Sequence, residues 1–210
     1  MIPGALGHAF FWILLAVSSD LTSDGFGAAT WALTVGFLTL TGTALSVLTV
    51  VAAKWALVWK VRRSKHHLWT SFVWRNELVW TFIESLAMPA LAPAFLETPA
   101  FNLFWRLLGA RIGSNVAIST WFLDDPDLIS VGDHSVLARS SDLQTHLFQD
   151  RVMVLGAVEV GRAVTVGDGS FLLPESKVQD NARIASGSVV PRGEVAVSNH
   201  SWAGNPIQAT

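Results

Sequence analysis

A membrane α-hairpin with interfacial helices, followed by a parallel β-helix, is the architecture this 210-residue sequence predicts. Three observations predict it. An aliphatic residue falls at every sixth position from Val160 through Val166, Leu172, Val178 and Ile184 to Val190. Two stretches, Met1 to Ser19 and Gly25 to Ala53, carry no charge, and 51% of all residues are hydrophobic, with a mean hydropathy of +0.44. A helix repeats near 3.6 residues and a strand at 2, so a period of six matches neither alone. It matches a chain that turns a corner every six residues and closes a triangular coil every eighteen.

Met1 to Ser19 has neither a basic flank before its apolar core nor a small-residue cleavage site after it, so it reads as a first membrane helix rather than a signal peptide. Asp20 to Gly27 is a turn. A second helix from about Ala28 to Val58 follows, of spanning length, with Trp55 and Trp59 where an aromatic belt would lie. Lys54, Lys60, Arg62, Arg63 and Lys65 place that end on the cytoplasmic side by the positive-inside rule, and the neighbouring His66 and His67 read as solvated. From His67 to Phe101, Trp69, Phe72, Trp74, Trp80 and Phe82 interleave with Arg75, Glu77 and Glu84, and Pro89, Pro93 and Pro99 interrupt the run. That composition suits helices in the interface more than a third span, because the charges inside a span would need partners. Leu103, Phe104, Leu107 and Leu108 then form a helical face able to cap an open prism. The domains expected are a hairpin at 1–66, interfacial helices and cap at 67–110, and the β-helix at 111–210.

Within the β-helix the six-residue phase also covers Ile112, Ile118, Val131, Leu137 and Leu143. Glycine follows at Gly113, Gly132, Gly161 and Gly167, and small residues recur at Ser135, Ser141, Ser170, Ser176, Ala182 and Ser188. Two stretches break the phase: Ser119 to Ser130, with Asp124, Asp125 and Asp127, and Gln144 to Glu159. Interruptions of a solenoid become loops on one side and often carry function. Charge is asymmetric. The chain through Arg111 has 8 basic and 5 acidic residues, and the remainder 6 basic and 11 acidic, which leaves no basic stripe for nucleic acid. Cysteine is absent, so there is no disulfide framework or thiolate metal site.

The repeat, with the ending Trp202-Ala203-Gly204-Asn205-Pro206, resembles the hexapeptide-repeat acyltransferase superfamily. That resemblance, rather than the period, implies a left-handed β-helix. The hairpin followed by LWTSFVWR, FWRLLGARIG, DLISVGD and LQTHLFQDRVM is similar, over nearly the whole chain, to the membrane-embedded C-terminal units of the poly-lysine synthase family of nonribosomal peptide synthetases. These 210 residues depart from that family in carrying one such unit with no adenylation or carrier domain among them, which fits either a free-standing version or a piece of something larger. The resemblance implies amide formation from a thioester-activated (amino)acyl donor, and a homotrimer, or a pseudo-trimer with related units, with sites at subunit borders. It also implies a pantetheine arm, presented by a carrier protein or by coenzyme A, as the donor's carrier, a possible adenylation partner, and contact with membrane lipid.

Acyl transfer to an amine needs a base, and histidine titrates near neutrality. His146 lies at the edge of the second interruption, where hexapeptide acyltransferases place their base. His8 falls in an apolar helix and His134 at a regular outward coil position. A carboxylate should orient the base. Asp124, Asp125, Asp127, Asp142 and Asp150 are all near; Asp127, nineteen residues before His146, is the preferred partner on coil spacing, and Asp150 is an alternative that could instead pair with Arg151. Gln144, His200, Trp202, Gly204, Asn205 and Pro206 are the substrate-binding candidates. Ile207 and Gln208 stand where an alanine and a basic residue are more usual, which favours a carrier-bound arm over free coenzyme A. Three other readings stay open: an acetyl-coenzyme A-dependent O- or N-acetyltransferase, a non-catalytic trimerising scaffold, and a zinc enzyme. His134, His146 and His200 lack the close pair that a zinc site on this fold uses.

Overall fold

The computed structural model describes residues 28–210. The expected first helix and the turn after it lie outside these residues. Helix α1 (Ala28–Leu57) is apolar on every side. Leu33, Phe37, Leu40, Leu45 and Leu48 are exposed along it, while Val50, near its C-terminal end, is fully buried. Strand β1 (Ser64–His67) follows. Helix α2 (Ser71–Phe82), a π-helical turn (Ile83–Ala87) and α3 (Met88–Phe95) then run on as one helical rod. Pro89, whose missing N–H would break the ladder of a regular α-helix, follows the π-helical turn, and Pro93 lies inside α3. The rod is continuous where a broken interfacial segment was expected, because Val79, Ile83, Ala87 and Met88 bury a stripe in the core cluster that Val50 shares. Among the described residues, Thr30–Leu57 and Ser71–Phe95 are both long and apolar enough to cross a membrane.

Helix α4 (Pro99–Leu107) is capped by Thr98, whose hydroxyl accepts from the Phe101 amide. The residues it buries are Phe101, Phe104, Trp105 and Leu108, spaced as one helical face and closing the open end of the prism. Leu103 and Leu107, expected on that face, are exposed. Asn102 and Arg106 fasten the cap, donating to the carbonyls of Val116 (2.7 Å) and Ile112 (2.9 Å).

Three parallel faces make the prism. The first stacks β2 (Arg111–Ile112), β4 (Ile129–Val131), β9 (Val158–Val160), β12 (Lys177–Val178) and β15 (Val195–Ala196). The second stacks β3 (Ala117–Ile118), β5 (Val136–Leu137), β10 (Thr165–Val166), β13 (Arg183–Ile184) and β16 (Ser201–Ala203), to which β17 (Gln208–Ala209) adds antiparallel. The third stacks β6 (Asp142–Leu143), β11 (Phe171–Leu172) and β14 (Val189–Val190). Leu137, Leu143, Val166, Leu172, Val178 and Val190 are fully buried at the centre, as the period predicts.

The glycines after the aliphatic residues serve close packing and not a positive φ. Gly132 is not left-handed; a Cβ there would sit 2.6 Å from the Gly161 backbone, so glycine lets successive coils close up. The left-handed corner falls two residues later, at His134 (φ 59°), Ala163 (φ 51°), Asn181 (φ 58°) and Asn199 (φ 58°). The recurring small residues lie between coils: Ser135 and Ser170 are fully buried and donate to the carbonyls of Gly161 and Ala185.

The second interruption is a β-hairpin of β7 (His146–Gln149) and β8 (Val152–Leu155), and β1 joins it antiparallel to β8. His66 and His67 therefore belong to a sheet; His67 is exposed, as expected, whereas His66 is half-buried. His66 stacks on Phe72 with ring centroids 3.9 Å apart, and its Nε2 lies 2.9 Å from the Ser64 hydroxyl.

Candidate active site

The first interruption crosses the edge of the third face. Leu123 makes a parallel bridge to Leu143, and the buried Thr120 hydroxyl donates to the Ser141 carbonyl at 2.8 Å. This register sets Asp125 beside Thr145 and His146. Asp125 adopts a left-handed conformation (φ 42°, ψ 71°) immediately before the short 3-10 turn Pro126–Leu128. A residue before proline is pushed out of the right-handed helical region, and aspartate is among the few that tolerate the left-handed one.

His146 opens β7, and its Nδ1 donates to Asp125 Oδ2 at 2.7 Å. The same oxygen lies 2.9 Å from the Thr145 hydroxyl, which it shares as an acceptor with the Asp124 carbonyl. The other oxygen, Oδ1, accepts from Asn76 Nδ2 at 2.7 Å. Asp125 is thus buried with both oxygens engaged. Burial alone would raise its pKa, but the hydrogen bond and charge of His146, with the donors on Asn76 and Thr145, bring it below the ordinary value. For His146, burial opposes the charged form, yet Asp125, followed by Asp124 and Glu77, outweighs it and raises the pKa to about 9. Burial pushes Asp124 up to about 7 against the pull of His146, with Asp125, Asp142 and Glu77 adding to the rise. Asp142 is raised by burial to about 6, His146 again opposing.

The pair opens on a cavity of ≈ 160 Å³ between the solenoid and the helices, with Lys54, Asn76, Glu77, Trp80, Asp124 and Phe148 among its walls. Val58, Val61, Val79 and Ile83 add apolar lining, and Glu77, Asp124 and Asp125 add carboxyl groups. Since Nδ1 is committed to Asp125, Nε2 is the nitrogen available to a substrate. A neutral imidazole in this tautomer can take a proton there and pass it on.

Of the sequence candidates, His146 is central, but Asp127 and Asp150 do not reach it. Asp127 forms a buried ion pair with Lys54 at 2.9 Å and accepts from the Val61 amide, also at 2.9 Å. Asp150 occupies the hairpin turn with Arg151, both left-handed, at the opposite end of β7. Asp125 takes the place assigned to Asp127, because the parallel bridge of Leu123 to Leu143 shows the intervening coil to be longer than eighteen residues. Gln144 is half-buried beside Thr145, held by its amide to the Leu172 carbonyl. The tail lies apart. Trp202 packs half-buried and donates to the Val197 carbonyl, and Gly204, Asn205 and Pro206 are exposed beside β14, two strands from β6 in the third face. His200 is exposed and donates to the Ser198 carbonyl at 2.7 Å. Among the described residues no group of histidines and carboxylates is arranged to hold a metal ion.

Sequence reasoning missed Asn76. A single asparagine in an amphipathic-looking segment carries no signal; Asp125 had one, its place before Pro126.

The chain is similar to part of a delta-poly-L-ornithine synthetase. That protein, from Acinetobacter baumannii, is 35% identical over 172 residues, which is 80% of this chain and 13% of the synthetase. A putative acetyltransferase, YvoF of Bacillus subtilis, is 24% identical over 91 residues, 42% of this chain and 53% of YvoF. Among solved structures, a galactoside acetyltransferase in complex with coenzyme A superposes with a TM-score of 0.46 at 18% identity, covering 80% of this chain and 81% of that one. The chain spans about an eighth of the synthetase's length and about half of YvoF's, and no family model matches it. Each of these proteins is named as a synthetase or an acetyltransferase.

Proposed function

We propose that this chain is a membrane-anchored acyltransferase unit that joins a thioester-activated aminoacyl group to an amine, with His146 as the general base and Asp125 as its orienting carboxylate. The observation that carries the reading is the 2.7 Å contact between His146 Nδ1 and a buried, fully hydrogen-bonded Asp125 at the wall of a cavity. In the step proposed, the neutral amine attacks the thioester carbonyl while His146 Nε2 takes its proton. The tetrahedral intermediate then collapses, the C–S bond breaks, and the imidazolium returns the proton to the departing thiolate. Glu77, Asp124 and Asp125 put carboxyl groups in the cavity wall, suited to an amine that arrives as a cation and gives one proton to a wall carboxylate or to water before it attacks, in keeping with the ornithine polymer named for the relative.

The exposed apolar length of α1 supports an anchor, and the basic residues after it support a cytoplasmic placement of the β-helix. Within one chain the Trp202–Pro206 tail is remote from His146. This favours a trimer, or a pseudo-trimer with related units, in which a neighbouring tail completes the groove for a pantetheine arm; a carrier protein or coenzyme A would present that arm.

The test compares wild type with His146→Ala, purified in mild detergent. Each is offered ornithyl- or lysyl-pantetheine thioester, or acetyl-coenzyme A, with an amine acceptor, and amide product is read by mass spectrometry. Product from the aminoacyl thioester, lost in the variant, is the result expected. Turnover of acetyl-coenzyme A alone would make the unit an acetyltransferase, and no His146-dependent turnover would leave a scaffold. Mass photometry of the same samples should give a trimer, and a monomer would count against the shared groove.

A further inference from the structure

We infer that Asn76 is a positioning residue for this site: through its hydrogen bond to Asp125 Oδ1, the helical rod of α2 and α3 holds the carboxylate that aligns His146. The inference rests on the reading of His146 as base.

Its basis is the way the Asp125 loop is gripped. Asp125 has a strained left-handed backbone, with only its carbonyl tied locally, to the Leu128 amide at 2.8 Å. Its carboxylate plane is set by three groups. Thr145 and His146 hold Oδ2 and move with the solenoid; among the described residues Asn76 alone holds Oδ1, and it comes from the helices. Asn76 is nine-tenths buried, so no water replaces its amide without rearrangement. A second tether, two residues on, joins the same loop to α1 through Lys54 and Asp127. The two tethers differ in consequence. The Lys54 pair anchors the loop, whereas the Asn76 bond fixes the rotation of the carboxylate that His146 meets. Without it Asp125 turns about its own side-chain bonds, the contact with Nδ1 loosens, and His146 is no longer held in one tautomer and one orientation.

The groups that surround His146 are Glu77 and Asn76 from α2, Lys54 from α1, Asp124 and Asp125 from the loop, and Asp142 from β6. Of these Asn76 directs a neutral donor at Asp125, and Thr145, next to His146 on the chain, directs another.

The experiment measures kcat and KM for aminoacyl transfer across pH with the full chain in detergent, for wild type, Asn76→Ala, Asn76→Leu and His146→Ala. Leucine fills the volume of asparagine without a donor, and it decides the case if the alanine variant does not fold as judged by its melting profile. The expected result for Asn76→Leu is a kcat lower by about tenfold to a hundredfold with KM little changed, since small misplacements of a reacting group cost that much. The basic rise of its pH profile should also move to lower pH, because a loosened carboxylate supports the imidazolium less. A folded Asn76→Leu with the wild-type kcat and pH profile, beside an inactive His146→Ala, overturns the inference and leaves the base reading standing. Activity surviving in His146→Ala overturns the base reading itself.

Discussion

The coils from Val160 to Ala196 and the interrupted stretch from Ser119 to Ala157 are halves of one solenoid built on different rules. In the regular half every rung repeats: Val160 stacks on Val178, Val178 on Ala196, Val166 on Ile184 and Leu172 on Val190, and each position needs only an aliphatic side chain of about the right size. In the interrupted half Val131 must reach across to Val160, and the extra chain forms a hairpin and a loop that solenoid packing alone does not determine. Polar contacts with the helices fix that extra chain. A repeating architecture supplies rigidity cheaply, and specificity begins where the repeat stops.

Substitutions can break this contrast from either side. His146→Ala should have the largest effect on turnover, lowering amide formation by about a thousandfold, since proton transfer by a positioned base typically contributes at that level; its melting temperature at neutral pH should fall as well, because the buried Asp125 loses its partner. Lys54→Met should cost about 3–5 kcal/mol of stability, because it leaves Asp127 as an uncompensated buried charge. Its melt should show the helices separating from the solenoid first. Leu172→Ala, in the regular half, should cost about 2–5 kcal/mol through the cavity it leaves, with an unaltered pH profile in the protein that remains folded.

The pH dependence sharpens the comparison further. With His146 raised to about 9, its base form grows as pH rises, so turnover should climb through neutrality and level off above pH 9. Stability runs the opposite way. A histidine whose pKa is higher folded than unfolded stabilises fully below its ordinary value of about 6.5 and loses that contribution as pH rises through about 9. Thermal melts of wild type should fall across that window more than those of His146→Ala. The smallest effect belongs to Arg192→Met, which breaks the exposed pair with Glu175 and should change stability by less than about 1 kcal/mol.

How far the sequence could be read follows the same division. The prism was legible residue by residue from Val160 to Val190, because burial at its centre imposes a period that nothing else in the chain imitates. The long apolar helix at Ala28–Leu57 was legible from its lack of charge. His146 stood out as a titratable group at the edge of a break in phase. Its carboxylate partner did not, because counting eighteen residues presumes a regular coil, and the coil from Leu123 to Leu143 is longer; the shift hands the role from Asp127 to Asp125. Asn76 and β1 were invisible for a stronger reason. Each acts only through a partner far along the chain, and neither asparagine in a helix nor four residues reading SKHH has a local signature for that partner.

The pairing of β1 with β8 sets an order of events as the chain is made. Coils of a solenoid add one upon another, each on a neighbour only just synthesised, and contacts of this local kind form quickly. Ser64 is made early yet pairs with Leu155, so the strand behind the helix waits at its station until most of the first coils have emerged. Only then does the three-stranded sheet close, and with it the wall that carries His146. The candidate site therefore closes late relative to its first strand, from parts made more than eighty residues apart, and a chain interrupted before β8 would carry its helices and its first coils but not the closed sheet beside His146.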